Sequence, residues 1–432
     1  RSTSSKVFFL NTIMAPFASG YGPKGGGGGD TLNGGNDVVV LDYGNRDHVF
    51  AGRMVAAAAA ATTNVVAIEN VERHTRPTAV VSSAVKRKDA KGEETKKNAI
   101  SGRRVESFEA TKCVLEDLFF DHFGWIKDDD DDDQTQRRNV FVVEPILCSR
   151  RERERLCQML FEEFRVSGYC AENAGVCALA GIGRLNGISV DIGAETIDCA
   201  TISDGKIVES SCRRIEGGGE RCCELALNAI REGEEIYTQM EKWERMVVNR
   251  NVARVRCSAD DEGKEDGMES YQLPDGNKIS METKDAFAIG DALYCCSSST
   301  SSDVAEGKCS KIIEAIQSAV ENSFSHAQAG HFYSNGKDKA FECVVAHGTE
   351  SSVKGLRERL GKDIQTNIAP ESAKVNVVAS APDYFHDKSM EHLSWTGGAV
   401  LGKVTWNLNQ QISKSAYDEW GPNVANRNRS SI

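Results

Sequence analysis

The chain has 432 residues, with 52 basic and 64 acidic side chains, a formal charge of −12, 40% hydrophobic and 27% charged residues. That length exceeds one compact core, so two domains are expected. The acidic balance argues against direct nucleic-acid binding, which needs clustered Lys and Arg on the phosphates. No apolar run approaches the ~20 residues of a membrane-spanning helix.

In chain order, residues 1–36 read as a disordered leader, and YGPKGGGGGDTLNGGND (21–37) reads as a flexible tether. Its glycine string lacks the Lys-Ser/Thr ending of a phosphate loop. Ordered sequence starts with the strand DVVVLDYG (37–44). VAAAAAATTN (55–64), DDDDDD (128–133) and SADDEGKEDGMES (258–270) read as surface insertions, because polar or repetitive segments bury too little to offset chain entropy.

Between these insertions the pattern is periodic. EATKCVLEDLFFDHF (109–123) predicts an amphipathic helix with Cys113, Leu115, Leu118, Phe119 and Phe123 near one face. NVFVVEPI (139–146) is a buried strand stopped by Pro145, and SRRERERLCQMLFEEF (149–164) is a helix capped by Ser149. A helix over 309–324, a strand–turn–helix over 340–364, a strand over 373–381 and a small-residue helix from 393 follow. Strands alternate with helices, so the fold class is α/β. The fourteen cysteines include no CxxC pair, which suits reduced thiols of an intracellular protein rather than zinc ligands.

One internal echo stands out. DVVVLDYGNRDHVFAG (37–52) and ISVDIGAETIDCATI (188–202) both run strand, Asp, any residue, Gly, second strand. Similarity at half the chain length suggests a duplicated architecture with a cleft between the halves. Two Asp-Gly bends facing that cleft suit a nucleotide, with backbone N–H groups on phosphates and carboxylates on a divalent cation. The plainer reading of Asp42 and Asp191 is that they cap turns.

At this point the order of motifs resembles actin and the actin-related proteins, from about Asp37 to Arg427. LDYG…FAG is similar to the family's first phosphate loop, VDIGAETIDC to its second, and RPTAVV (76–81) to the entry of its small outer subdomain. VVEPILCSRRERERLCQMLFEEFRV (142–166), RRIEGGGERCCELALNAI (213–230), YQLPDGNKISM (271–281), VVAHGTESSVKGL (344–356), WTGGAVLG (395–402) and ISKSAYDEWGPNV (412–424) follow in family order. The resemblance implies an actin-like, duplicated RNase H-like fold: two α/β halves around a nucleotide cleft, in four subdomains. It divides the chain into 37–186 (outer subdomain about 53–105, acidic insertion 128–136), 187–400 (outer subdomain about 231–299) and a segment 401–432 that returns to the first half. It also implies ATP or ADP with Mg2+, held by Asp42, Gly44, Asp191, Gly193, Gly219, Gly348 and Thr349. Asp42 and Asp191 would be the metal's carboxylates, and Asn173 would stand at the water-positioning place.

The chain departs from the family at these positions. The first loop, DYGNRDHVFAG, has no phosphate-binding Lys, and Arg46 is not its equivalent, because a guanidinium fork and an ammonium differ in geometry. Ala194 replaces an acidic residue, Glu195 and His347 replace glycines, and Asn173 replaces a Gln one methylene longer. Arg254 falls where a family glutamate lies near the adenine. ATP binding is therefore expected to be weak or absent, and hydrolysis negligible. The segment from RPTAVV to GRRVESFEA (102–110) is shorter than the family's outer subdomain and polar, so a homopolymer is not expected.

The expectation is a structural and interaction subunit of a multiprotein complex, with protein partners and neither direct nucleic acid nor membrane. LFEEFRV…ENAGVCALA and RRIEGGGE resemble nuclear actin-related proteins of chromatin-remodelling complexes more than actin itself. The alternatives are a cytoskeletal actin-like protein that binds ATP, as filament, capping or dynactin-type component, and a true ATPase. Localisation is then intracellular, nuclear or cytoskeletal.

Overall fold

A computed structural model of the chain describes residues 38–43, 48–54, 79–82, 84–88, 94–125, 138–257, 266–295, 310–325, 338–382 and 390–427. The Gly-rich leader, the Ala tract, the Asp run, residues 258–265 and Gly44 lie outside the described residues.

The first half begins with β1 (Val38–Asp42), β2 (His48–Met54) and β3 (Ala79–Ser82), paired antiparallel in sequence. Two small hairpins follow: β4 (Ala84–Lys88) with β5 (Glu94–Asn98), and β6 (Ile100–Ser101) with β7 (Arg104–Val105). After helix α1 (Phe108–Glu116), β8 (Asn139–Glu144) runs parallel to β1, and β9 (Gly168–Asn173) runs parallel to β8. Between β8 and β9 lies α2 (Arg150–Glu162), whose cap Ser149 accepts from the Glu152 amide at 3.2 Å. The helix expected over 109–123 is two pieces, because α1 widens into a π-helix over Asp117–His122.

After α3 (Ala174–Gly181) the second half repeats this plan. β10 (Gly187–Ile192) and β11 (Thr196–Ser203) form an antiparallel hairpin. β12 (Lys206–Ile207) and β13 (Arg213–Glu216) both pair with β11. An outer layer holds α4 (Gly219–Ala229), α5 (Glu234–Gln239), α6 (Lys242–Val252) and α7 (Thr283–Cys295). A three-stranded sheet, β14 (Ile230–Glu232), β15 (Met268–Gln272) and β16 (Lys278–Glu282), joins them. α8 (Lys311–Ser325) leads to α9 (Asp338–Phe341) and then β17 (Val344–His347), parallel to β10, and α10 (Leu356–Asn367) follows. The strand expected over 373–381 is not one: only a single bridge, Val344 to Val377, continues the sheet there. Each half therefore has a central strand, a hairpin partner on one side and a later parallel strand on the other.

The chain ends with α11 (Leu393–Asn407), β18 (Ile412–Ser413) and α12 (Lys414–Trp420). β18 pairs with β9, so the terminal segment completes the sheet of the first half.

Alternation along β1 sorts its side chains. Val39 and Leu41 join the core formed with α1 and α2, whereas Val38 and Val40 join a layer with α3 and α11. Ile202 and Val345 enter that same layer from the second half. The two halves thus share α3 and α11 as a common floor. Small residues allow their close approach: a Cβ on Gly397 would lie 2.9 Å from the Gly181 nitrogen. Among the described residues no helix is long and apolar enough to cross a membrane.

Candidate functional site

The polar groups of the two halves meet above that floor, near the carboxyl ends of β1, β8, β9 and β10. Ligands of open α/β sheets bind at such strand ends. On β10, Ile188, Val190 and Ile192 face the core of the second half. The intervening Ser189 and Asp191 form the polar face. His347 of β17 pairs in register with Asp191, and its ring bonds Ser189 Oγ at 2.8 Å and Ser394 Oγ at 3.0 Å. Burial holds the His347 imidazole below its ordinary pKa, despite the nearby Asp191 charge, so it stays neutral. The histidine that replaces a family glycine is a core group beside Asp191.

Register places Asp198 of β11 directly opposite Asp191. Like charges at such a pair destabilise a sheet unless a cation lies between them. Two arginines meet this pair. Arg214 of β13, opposite Asp198, forks onto it with two 2.7 Å bonds. Arg103 comes from the other half. Its Nη2 donates to Asp191 Oδ1 at 2.8 Å, its Nη1 donates to Asp191 Oδ2, and Nη1 lies 3.8 Å from Asp198 Oδ2. Burial alone would raise the Asp191 pKa, but the surrounding positive charges, Arg103 first among them, together with the Arg103 hydrogen bond outweigh it and hold the carboxyl below its usual range. Burial would likewise lower the Arg103 pKa, and the Asp191 and Asp198 charges reverse that. Asp42, at the end of β1, adds its charge to the surroundings of Arg103 from the first half.

Arg103 sits in the two-residue turn between β6 and β7. Gly102 and Arg103 have φ of 54° and 58°, the pattern of a type I′ hairpin turn. The Gly102 amide donates to Glu195 Oε2, and the Gly102 carbonyl accepts from Arg214 Nη1 at 2.9 Å. The other end of the hairpin is rooted in the first half, where the Val105 amide donates to Glu152 Oε1 at 2.9 Å and Ile100 enters the core.

The turn of the β10–β11 hairpin carries Gly193, and its neighbours leave no room for a side chain there: a Cβ would lie 3.1 Å from the Thr196 carbonyl and would also meet Arg103. The Gly193 carbonyl accepts from the Gly219 amide at 3.2 Å, and the Ala194 carbonyl accepts from Glu220 at 2.9 Å. Gly348, with φ of 92°, packs against Asp191 and the Ile192 carbonyl. Glu350 lies two residues on, and a Cβ on Gly219 would be 2.7 Å from its Cγ. Burial pushes the Glu350 carboxyl up to about 7, against the opposing charge of Arg250. Arg250 of α6 donates to the Thr349 carbonyl at 3.2 Å and pairs with Glu391 at 2.9 Å.

The fold therefore brings Asp42, Asp191, Gly193, Gly219, Gly348 and Thr349 to one cleft, whereas Gly44 falls outside the described residues. Asn173 ends β9 on the same rim, opposite Glu144, and its buried Oδ1 has no partner among the described residues. Tyr43 turns away from the cleft into the first core, with its hydroxyl 3.3 Å from Cys148 Sγ. Arg254 pairs with Glu269 at 2.6 Å, and it is Arg250 that reaches the Thr349 turn.

The Actin family model matches residues 35–430. The chain belongs to the actin family. This divergent actin-family chain is 25% identical over 328 residues to Actin-related protein 7 of Arabidopsis thaliana, covering 75% of the chain and 82% of that protein. It is 24% identical over 330 residues to Actin-related protein 7 of Oryza sativa subsp. indica, covering 75% and 83%. It is 23% identical over 303 residues to Putative actin-29 of Dictyostelium discoideum, covering 67% and 72%. Within the actin fold, five groups of this site went unmarked in the motifs: Arg103, Asp198, Arg214, Arg250 and Glu350. Hairpin arithmetic carries a signal for one of them. A turn at 193–195 sets Asp198 opposite Asp191, and that pair requires a cation.

Proposed function

We propose that this actin-related chain is a structural and interaction subunit of a multiprotein complex, in nuclear chromatin remodelling, with a degenerate ATP site and no significant ATPase activity. One observation carries the degenerate-site part: both carboxylate oxygens of Asp191 are engaged by Arg103. Asp42, Asp191, Gly193, Gly219, Gly348 and Thr349 are the residues that would hold Mg-ATP, and as arranged they do not fit it. A cation at Asp191 meets the guanidinium, and the side chain of Glu350 stands against Gly219. An anionic phosphate chain also meets Glu195 at the turn, which is repulsive. The similarity to proteins named as actin-related, and the resemblance of LFEEFRV…ENAGVCALA and RRIEGGGE to nuclear members, support the complex role.

Two experiments test this. The natively purified chain is denatured and its adenine nucleotide quantified; well under one nucleotide per chain is expected, and a stoichiometric amount overturns the degenerate site. A tagged copy is then fractionated and its partners identified. Nuclear enrichment with remodelling subunits supports the role, whereas a pool that pellets with Mg-ATP points to the cytoskeletal alternative.

A further inference from the structure

The Asp191–Asp198 pair is a site that demands positive charge, and this chain supplies it from its own opposite half. We propose that the Gly102–Arg103 turn is an internal clasp: Arg103 takes the cation's place at Asp191 and joins the two halves, so that the cleft closes without divalent metal or nucleotide. The proposal rests on the degenerate-site reading and gives it a physical agent.

Four observations converge. First, the contact is a fork, with separate guanidinium nitrogens on the two carboxylate oxygens. That is the geometry in which arginine binds carboxylate with greatest specificity. Second, the second half grips the turn's backbone as well as its side chain. Glu195 accepts the Gly102 amide, and Arg214, itself locked on Asp198, holds the Gly102 carbonyl. Third, Arg103 is a non-glycine residue at φ 58°. Such a conformation persists where the surroundings over-determine it, and it concentrates at clamps and switches. Fourth, the hairpin is rooted in the first half through Val105 and Glu152, so the bond at its tip spans the cleft.

The charges close the argument. Arg103 and Arg214 face Asp191, Asp198 and Glu195, with Asp42 contributing from across the cleft. Among the described residues of this group, no positive charge is left over to receive a phosphate. A divalent cation must displace a tethered guanidinium whose effective concentration is set by the chain rather than by solution. Glu195 becomes intelligible on these terms. A carboxylate that is repulsive beside phosphate is here an acceptor for the clasp.

The test uses the full chain. Hydrogen exchange in EDTA should show the Gly102 amide protected, and Mg-ATP should leave that protection unchanged. An unprotected Gly102 amide in EDTA overturns the clasp. Mn2+ then serves as the metal probe, read by electron paramagnetic resonance. The wild type should show no saturable binding at the cleft. Arg103→Ala should acquire a site that Asp191→Asn removes, and should lose Gly102 protection by about ten- to a hundredfold, the worth of the charged hydrogen bonds it removes. Wild-type binding of Mn-ATP as tight as that of the variant overturns the proposal. If Arg103→Ala does not fold, Arg103→Lys decides: it keeps the charge and loses the fork, so intermediate protection is expected, and full protection overturns the fork's role. Partner capture reads the complex role separately: a failed clasp with intact capture rejects only the clasp, and a protected clasp with no capture rejects only the role.

Discussion

Arg153 and Arg103 are both buried arginines on buried carboxylates, yet they stabilise different things. Arg153 lies within one half. Its Nε and Nη2 bond Glu144 at 2.9 and 2.6 Å, and its Nη1 reaches Asn426 at 2.6 Å, tying the last turn of the chain onto the first core. Arg103 lies between halves, and its partners Asp191 and Asp198 belong to the opposite sheet. The Arg153 network holds a core that stays closed whatever the cleft does. The Arg103 network joins two sheets, and on the clasp proposal its loss lets the halves part and returns its charges to water. Similar local chemistry therefore yields fold stability in one place and domain closure in the other.

Arg153→Ala should have the largest effect. It takes the Arg153 guanidinium from the Glu144 carboxylate, whose side chain is 1% exposed, and leaves Asn426 with its bond to Glu154 at 2.6 Å. Breaking a buried pair from one side costs about 3–5 kcal/mol, and the midpoint of denaturant unfolding measures it. Arg103→Ala should cost less, about 1.5–3 kcal/mol, because the opened cleft rehydrates Asp191 and leaves mainly the charged hydrogen bonds to count. The two variants should also differ in kind. Arg153→Ala moves the whole unfolding transition. Arg103→Ala raises hydrogen exchange first at residues 100–105 and 193–195. Equal, global destabilisation by both would erase the distinction.

The Glu350 side of the site gives a pH-dependent effect. Glu350 has a folded pKa raised from 4.5 to about 7 by burial, with Arg250 and Glu391 as its charged neighbours. The folded state therefore binds this proton more tightly than the unfolded chain. The contribution is fully present below about 4.5 and is lost as pH rises through about 7. Burial lowers the pKa of His347, which acts in the opposite sense: its contribution is present above the unfolded value and is lost as pH falls through the folded one. The two effects overlap, so the comparison of wild type with Glu350→Gln isolates the carboxyl. At pH 8 the variant should be more stable by up to about 3 kcal/mol, with the gap closing by pH 4.5, as paired unfolding curves would show. A gap independent of pH would mean that packing against Gly219, rather than charge, sets the Glu350 contribution.

The α/β class and the paired Asp hairpins were legible because strand alternation and Asp-Gly bends are local signals. The Ser149 cap and the Pro145 stop were legible for the same reason. The strand over 373–381 misled because β-branched residues there pack an extended segment that makes one bridge. The cleft's occupants were harder. Arg103 is one of two adjacent arginines in a short hairpin, and nothing local says that its side chain crosses to Asp191, 88 positions away. Glu350 sits in a turn whose resemblance to the family drew attention to its glycine and threonine. Both depend on tertiary placement, and each fills a space that the motifs left for a ligand.

Asn173 should matter least, and that is informative. It stands at the start of α3 without a side-chain cap bond, and its Oδ1 is buried without a partner among the described residues. Asn173→Ala therefore removes a desolvated acceptor and no hydrogen bond to a described group. A small gain in stability, about 1 kcal/mol, is expected, since a buried acceptor left unpaired carries a desolvation cost that alanine does not. Asn173→Gln restores the longer side chain of the family pattern. In a working site that extra reach could recover turnover, because water placement by about 1 Å is worth roughly 100-fold in rate. Here no phosphate release above background is expected from Asn173→Gln alone, because Asp191 is still held by Arg103. Turnover recovered by Asn173→Gln alone would place the defect at the water. Turnover only in the double variant with Arg103→Ala would place it at the clasp.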